Sequence, residues 1–253
     1  ERVFELGRVY RPDLAINAGP NRLFDTISKI EAPSRPIWSR WREDVRAAYT
    51  KWSTPRSQAS VLQFGQIVQS LRTELPEDAI ITNGAGNYTA WLHRYYRYVS
   101  PGSQLGPTSG SMGYGLPAAI TAKLIRPERI VIAFSGDGCF LMTAQELATA
   151  TQCELPIVIV VVNNGMYGTI RMHQERRYPG RVSSTDLLNP DFCAFARSFG
   201  AHAERVYETE GFVPALRRAL TQSRPSLIEI MTDPETISPD QTLDGIRFEA
   251  TRT

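Results

Sequence analysis

Arg129-Ile-Val-Ile-Ala-Phe-Ser-Gly-Asp-Gly138 and Pro156-Ile-Val-Ile-Val-Val-Val-Asn-Asn164 frame the stretch that decides the fold. Arg129 to Phe134 and Ile157 to Val162 are short apolar runs rich in β-branched residues. Neither alternates polar with apolar, so both predict strands buried on two faces, as in a parallel sheet. Between them, Thr143 to Cys153 predicts a helix. Thr143 and Glu146 have capping-box spacing, and Pro156 follows the helix end. The unit is a strand–helix–strand with a right-handed crossover. Asp137 follows the first strand and Asn164 the second, so both emerge at the carboxyl edge of the sheet, where open α/β folds bind ligands.

Neighbouring strands lie roughly 5 Å apart, so oxygens at two adjacent strand ends can share one cation. Magnesium takes oxygen ligands at about 2.1 Å and commonly completes its shell with phosphate. The N–H groups of Gly138 and Cys139, ahead of the helix, would face the phosphate oxygens. Taken singly, Gly-Asp-Gly and Asn-Asn-Gly also fit tight turns that bind nothing. Together, at the two ends of one such unit, they point to a divalent cation and a diphosphate.

Gly136-Asp137-Gly138, 24 intervening residues and Asn163-Asn164 resemble the thiamine diphosphate motif of the acetolactate synthase and benzoylformate decarboxylase superfamily. The likeness runs from about Gln63 to Thr232. It implies an α/β fold: a doubly wound parallel sheet flanked by helices. Thr108 to Ala119 resembles the segment that cradles the cofactor's aminopyrimidine ring. Met112 stands at the position that wedges the cofactor into a bent shape, and the Gly110 carbonyl would accept from its amino group. Alone, Met112 also fits ordinary core packing. Asn83-Gly-Ala-Gly-Asn-Tyr88 falls where relatives have a diphosphate-binding glycine loop ending in Gln-His. Here Asn87 and Tyr88 replace that pair, after Ala85 and Gly86. The resemblance makes the Asp137 carboxylate, the Asn164 side-chain oxygen and the Met166 main-chain carbonyl the metal ligands. Gly136, Gly138, Cys139, Tyr167 and Gly168 complete the expected cofactor wall.

Further expectations follow from the family. The activity is a thiamine diphosphate- and Mg2+-dependent decarboxylation and carboligation of 2-oxo acids, of transferase or lyase type. The glutamate that bonds the pyrimidine ring belongs to a separate pyrimidine-binding domain of a partner subunit, in a homodimer or homotetramer. This sequence matches the C-terminal part of a longer enzyme and is expected to be inactive alone. Thr169, Ile170 and His173 stand on the substrate side, where acetolactate synthases carry Met, Val and Trp. His173 has an acid–base range near neutrality; it equally fits a solvated histidine beside Arg171, Glu175 and Arg176. His93 and His202 have no partner pattern. A 2-oxo acid decarboxylase and a non-catalytic cofactor-binding module are the alternatives. A dehydrogenase reading of Gly84-Ala-Gly86 lacks the third glycine and the downstream acidic residue.

The chain has 253 residues, 42% hydrophobic and 21% charged, with a net charge of +2. That balance gives no warrant for a nucleic-acid or membrane-surface partner. No apolar run approaches the roughly 20 residues of a membrane helix. Three cysteines without metal-ligand spacing suggest a reducing cytoplasm. Residues 1–58 read as the end of a preceding central domain and a linker: a strand over Gly7 to Ile16, a helix within 17–30, and an amphipathic connecting helix over Trp38 to Trp52. Residues 59–233 read as the thiamine diphosphate-binding domain, with further helices over Gln63–Leu75, Asn87–Tyr98, Gly113–Ile125, Tyr167–Arg176, Asp191–Phe199 and Gly211–Leu220. Its remaining strands are Ala79–Thr82 and Leu227–Met231. Residues 234–253 form a C-terminal tail with little periodicity, read as an extended arm or a partly disordered one.

Overall fold

The structure, a computed structural model, describes residues 3–58 and 60–252. The chain divides into two units, Glu1–Tyr49 and Thr50–Thr253. The first holds a 3₁₀ turn (Val3–Glu5), helix α1 (Pro20–Ile27) and most of helix α2 (Ser39–Trp52). Pro20 opens α1, where its missing N–H costs nothing. No described residue of this unit is buried. The strand expected over Gly7 to Ile16 is absent among the described residues. Arg8, Arg11, Pro12 and Asp13 break any two-residue alternation, and a strand has no stability without a ladder.

The second unit is built on six parallel strands: β1 (Ile80–Asn83), β2 (Gln104–Leu105), β3 (Val131–Gly136), β4 (Val158–Asn163), β5 (His202–Val206) and β6 (Ser226–Met231). Their order is β2-β1-β3-β4-β6-β5, every pairing parallel. Helices α3 (Phe64–Glu74), α4 (Tyr88–Tyr95) and α10 (Thr209–Leu220) cover one face. Helices α5 (Gly115–Ile125), α7 (Leu147–Gln152) and α9 (Phe192–Ser198) cover the other. Alternate residues of each strand supply the two cores. Ile132, Phe134, Val158, Val160 and Ile228 point to the first; Val131, Ala133, Ile159, Val161 and Leu227 point to the second. This is the doubly wound parallel sheet that the sequence led us to expect. Full burial on both faces explains the continuous apolar runs of β3 and β4.

The order also locates a crevice. From β1 the chain moves outward to β2, then crosses back to β3 on the other side of β1. This reversal opens the sheet's carboxyl edge between β1 and β3, where α/β folds bind ligands.

Three local expectations differ from the structure. The helix expected over Thr143 to Cys153 is broken into helix α6 (Asp137–Leu141), a 3₁₀ turn (Ala144–Glu146) and α7. Thr143 does not cap. Its hydroxyl donates to the Gly113 carbonyl at 2.8 Å, a tertiary bond that competes with the cap. The tail is not an irregular arm. Leu243–Thr251 forms helix α11, capped by the Thr242 hydroxyl accepting from Gly245 N–H. Its Leu243 and Ile246 bury against Met166 and Ile237, with Met172 of helix α8 (Gly168–Arg177) beside them. Finally, neither the two-residue β2 nor β5 was foreseen. His202, Glu204 and Arg205 give β5 a polar appearance, but the hydrogen-bond ladder to β6 forms regardless.

Candidate functional site

A cavity of about 270 Å³ opens at the carboxyl edge of β1, β3 and β4. Ala85, Gly86, Asn87 and Tyr88 form the wall after β1, and Gly110 and Met112 form the wall before α5. Gly136, Asp137, Gly138 and Cys139 follow β3. Asn164, Met166, Tyr167 and Gly168 follow β4, with Thr169 and Ile170 in the first turn of α8. The structure thus brings every residue expected to touch cofactor or cation to one cavity. Val162 joins them unforeseen. His173 does not. It lies beyond the cavity lining on α8, with its side chain exposed.

Asp137 is buried at 3% exposure. Its Oδ1 accepts from the Gly138 N–H at 2.9 Å, so that donor faces the carboxylate. Oδ2 accepts from the Gly165 N–H at 2.8 Å and from Asn189 Nδ2 at 2.9 Å. Burial raises the Asp137 carboxyl above its ordinary range, and the bonds from Asn189, Gly138, Gly165 and Met166 pull it back. Every bonded partner is a neutral N–H. Among the described residues, no Lys or Arg pairs with this carboxylate. Asn164 Oδ1 accepts from the Met166 N–H at 3.3 Å, and the Met166 carbonyl accepts from Gly168 N–H at 2.9 Å. Each of these oxygens keeps a second lone pair. A carboxylate, an amide oxygen and a main-chain carbonyl are the hard donors that a small divalent cation takes. The residues therefore fit Mg2+, and the positive charge would offset the burial of Asp137.

The other walls are tied by side chains. Asn87 Oδ1 accepts from the Thr169 hydroxyl at 2.8 Å, and its Nδ2 donates to the Ile237 carbonyl at 3.1 Å. Asn87 thereby joins the glycine loop to α8 and to the segment after β6. Tyr88 hydroxyl donates to the Phe134 carbonyl at 3.2 Å and meets Cys139 Sγ at 3.5 Å. Burial, the larger cause, and the neighbouring Cys139 hold its phenol well above the usual range.

Close packing reaches the glycine loop itself. A Cβ on Gly84 would overlap Cys139 Sγ. That sulfur is buried and accepts from the Gly113 N–H at 3.3 Å, so it has nowhere to move. Gly84→Ala is expected to destabilise the protein by about 1–3 kcal/mol through overpacking. Thermal denaturation checks this, and adding Cys139→Ala should restore much of the loss. An unchanged midpoint for Gly84→Ala would contradict the packing argument.

Asn189 was not singled out from the sequence. It precedes Pro190 and Asp191, and Asp191 caps α9 by accepting from Ala194 N–H. Read locally, the tripeptide is only a helix start. What places Asn189 against Asp137 is tertiary.

The chain is similar to known proteins. Residues 84–230 match the family model described as thiamine pyrophosphate enzyme, C-terminal TPP binding domain. The mitochondrial acetolactate synthase of Schizosaccharomyces pombe is 32% identical over 89% of this chain and 35% of its own length. The acetolactate synthase large subunit of Corynebacterium glutamicum is 31% identical over 90% of this chain and 38% of its own. A solved structure, the thiamine diphosphate-dependent 4-hydroxybenzoylformate decarboxylase of Rhodococcus jostii RHA1, superposes with a TM-score of 0.67 at 32% identity. That match covers 72% of this chain and 34% of that one. The chain thus spans little more than a third of the length of these relatives. On sequence and fold together, this chain belongs to the thiamine pyrophosphate enzymes and carries their C-terminal TPP-binding domain, of acetolactate synthase-like type.

Proposed function

We propose that this chain holds thiamine diphosphate and Mg2+ in the cavity at the carboxyl edge of β1, β3 and β4, as part of an enzyme that decarboxylates and ligates 2-oxo acids. One observation carries the reading. Asp137 is a buried carboxylate with only neutral partners, beside two further oxygen donors at the end of the neighbouring strand. When bound, thiamine diphosphate supplies the nucleophilic carbon and the electron sink that decarboxylation needs. The chain's own residues bind and orient. The Asp137 carboxylate, Asn164 Oδ1 and Met166 carbonyl hold the cation, which fixes the diphosphate. Met112 and the Gly110 carbonyl position the rings. Thr169 and Ile170 face the substrate, with Asn87 holding the Thr169 hydroxyl in place.

In this reading residues 1–58 are the end of a central domain and a linker, 59–233 the cofactor domain and 234–253 its tail. A pyrimidine-binding domain of a partner subunit completes the site in a cytoplasmic homo-oligomer, so this stretch is inactive alone. No helix among the described residues is long and apolar enough to cross a membrane. Calorimetric titration with thiamine diphosphate, in Mg2+ and in chelator, tests the cofactor reading. Binding is expected only with the metal. Equal binding in both, or none in either, would sink it.

A second reading, decarboxylation without ligation, is favoured by the structural likeness to a 4-hydroxybenzoylformate decarboxylase. Thr169 and Ile170, which differ from the residues of acetolactate synthases, weaken the first reading. Product analysis of the complete natural protein with a 2-oxo acid separates the two: a 2-hydroxy-2-methyl-3-oxo acid for the first, an aldehyde for the second.

A further inference from the structure

Behind Asp137 runs a line of buried and half-buried polar side chains that no step above uses. Glu229 lies on β6 at 1% exposure. Its Oε2 accepts from Arg205 Nε at 2.7 Å, and its Oε1 accepts from Asn163 Nδ2 at 2.7 Å. A carboxylate only accepts, so this bond fixes which way the Asn163 amide faces. Asn163 Oδ1 must then point the other way, where it accepts from the Gly165 N–H at 3.0 Å and from Asn189 Nδ2 at 3.0 Å. The same Asn189 Nδ2 donates to Asp137 Oδ2 at 2.9 Å. Turning the Asn189 amide over would set its oxygen against two acceptors. The amide is therefore held with Oδ1 away from both, and that atom is buried without a partner. A buried acceptor left unpaired is unfavourable, so something else must hold this orientation. The double donation to Asn163 and Asp137 does so.

We propose that Asn189 is a positioning residue of the cation site, oriented by Glu229 through Asn163. It uses up the acceptor capacity of Asp137 Oδ2, together with Gly165, and fixes the carboxylate plane so that Oδ1 is the oxygen offered to the metal. The inference rests on the cofactor reading above and adds a residue outside the cavity lining. The two asparagines of the pair then have different parts. Asn164 offers an oxygen to the cation, whereas Asn163 transmits the orientation set at β6. Magnesium demands near-octahedral geometry and calcium does not. Loosening the carboxylate should therefore weaken Mg2+ more than Ca2+.

The test uses the complete natural protein with thiamine diphosphate present, titrated calorimetrically with Mg2+ and separately with Ca2+. The variants are Asn189→Leu, which keeps bulk and removes the donor, Asn189→Ala, in case the first does not fold, and Asp137→Ala. Removal of a group that orients a metal ligand typically weakens the metal about 10–100-fold. An Mg2+ loss of that order is expected for the Asn189 variants, with a smaller loss for Ca2+. A purely structural Asn189 would shift the ligand-free thermal midpoint and leave the Mg2+ to Ca2+ ratio unchanged, which overturns the proposal. Wild-type Mg2+ affinity in the Asn189 variants, with affinity lost in Asp137→Ala, overturns it while leaving the cofactor reading standing. Wild-type affinity in Asp137→Ala removes the cofactor reading and this proposal with it.

Discussion

Asp137→Ala is expected to abolish Mg2+-dependent binding of thiamine diphosphate while leaving the ligand-free fold nearly as stable as before. Two opposing effects explain the second half. The substitution removes a buried carboxylate whose charge burial disfavours. It also strands the Gly138 N–H and one N–H of Asn189, while Gly165 keeps its bond to Asn163, and an unpaired buried donor costs about 1–3 kcal/mol. These roughly offset. Nothing offsets the loss at the cation, because Asp137 supplies the only formal negative charge among the proposed ligands. Thermal denaturation reads the difference directly. At a ligand concentration of about 100 Kd, binding stabilises the wild type by about 2.7 kcal/mol. For a unit of this size that is a midpoint rise of roughly 5–10 °C. Asp137→Ala should show no rise with Mg2+ and thiamine diphosphate together. A rise equal to wild type would refute the ligand assignment.

The second large effect lies at Glu175, one side chain that fastens the C-terminal helix. Glu175 is fully buried on α8 and is gripped by two arginines. Arg247 of α11 donates to both oxygens, at 3.0 and 2.8 Å, and Arg171 donates to Oε1 at 3.2 Å. The Gly180 N–H adds a bond at 2.8 Å. The bond from Arg247, the largest cause, draws the Glu175 carboxyl down from 4.5 to about 2. A carboxyl lowered in the folded state stabilises fully above its unfolded value. That contribution fades as pH falls through the folded value, so it is lost between about pH 4.5 and pH 2. Arg247 is one-third exposed, and discounting for solvent leaves about 2 kcal/mol at neutral pH. Glu175→Ala goes further, because it leaves the Arg171 and Arg247 charges without their shared partner. Breaking a buried pair costs about 3–5 kcal/mol, and the low end is expected here because Arg247 keeps Asp244 and Arg171 keeps Asp186. Denaturant unfolding at pH 7 should show that loss, with proteolysis starting in α11. Acid titration of the wild type should release α11 over the stated window, and Glu175→Ala should lack that step. Loss of less than about 1 kcal/mol would show that packing of Leu243 and Ile246, not the ion pair, holds the helix.

The sequence made the central sheet legible because β3 and β4 are buried on both faces and so carry uninterrupted apolar runs. The cavity residues were legible through the same strands, whose ends must share one edge. Less came through where tertiary contacts decide the matter. β5 pairs with β6 although three of its five residues are polar, because Glu204 and Arg205 find partners in Arg218 and Glu229. Glu175 read as part of a solvated face, with Arg171 four residues before it. The return of α11 sets Arg247 against both of its oxygens. Asn189 showed no signal at all, since its role depends on where a loop between distant elements passes. The capping box at Thr143 was a real local pattern that lost its hydroxyl to Gly113.

The parallel register changes what the distance between Asp137 and Asn164 along the chain means. Gly136 is paired with Val162 and Phe134 with Val160, so the two loops leave the sheet level with each other. The intervening residues, with their three short helical pieces, only have to return the chain to the same edge. Their number records the length of a detour, not the size of a site. An insertion in the exposed turn around Glu154 should leave the two oxygens where they are. Deletion of a single residue inside β4 would shear it by about 3.3 Å and turn each of its side chains to the opposite core. The invariant that the chemistry requires is therefore a ladder of backbone hydrogen bonds, and a motif written as a fixed count of residues is its shadow.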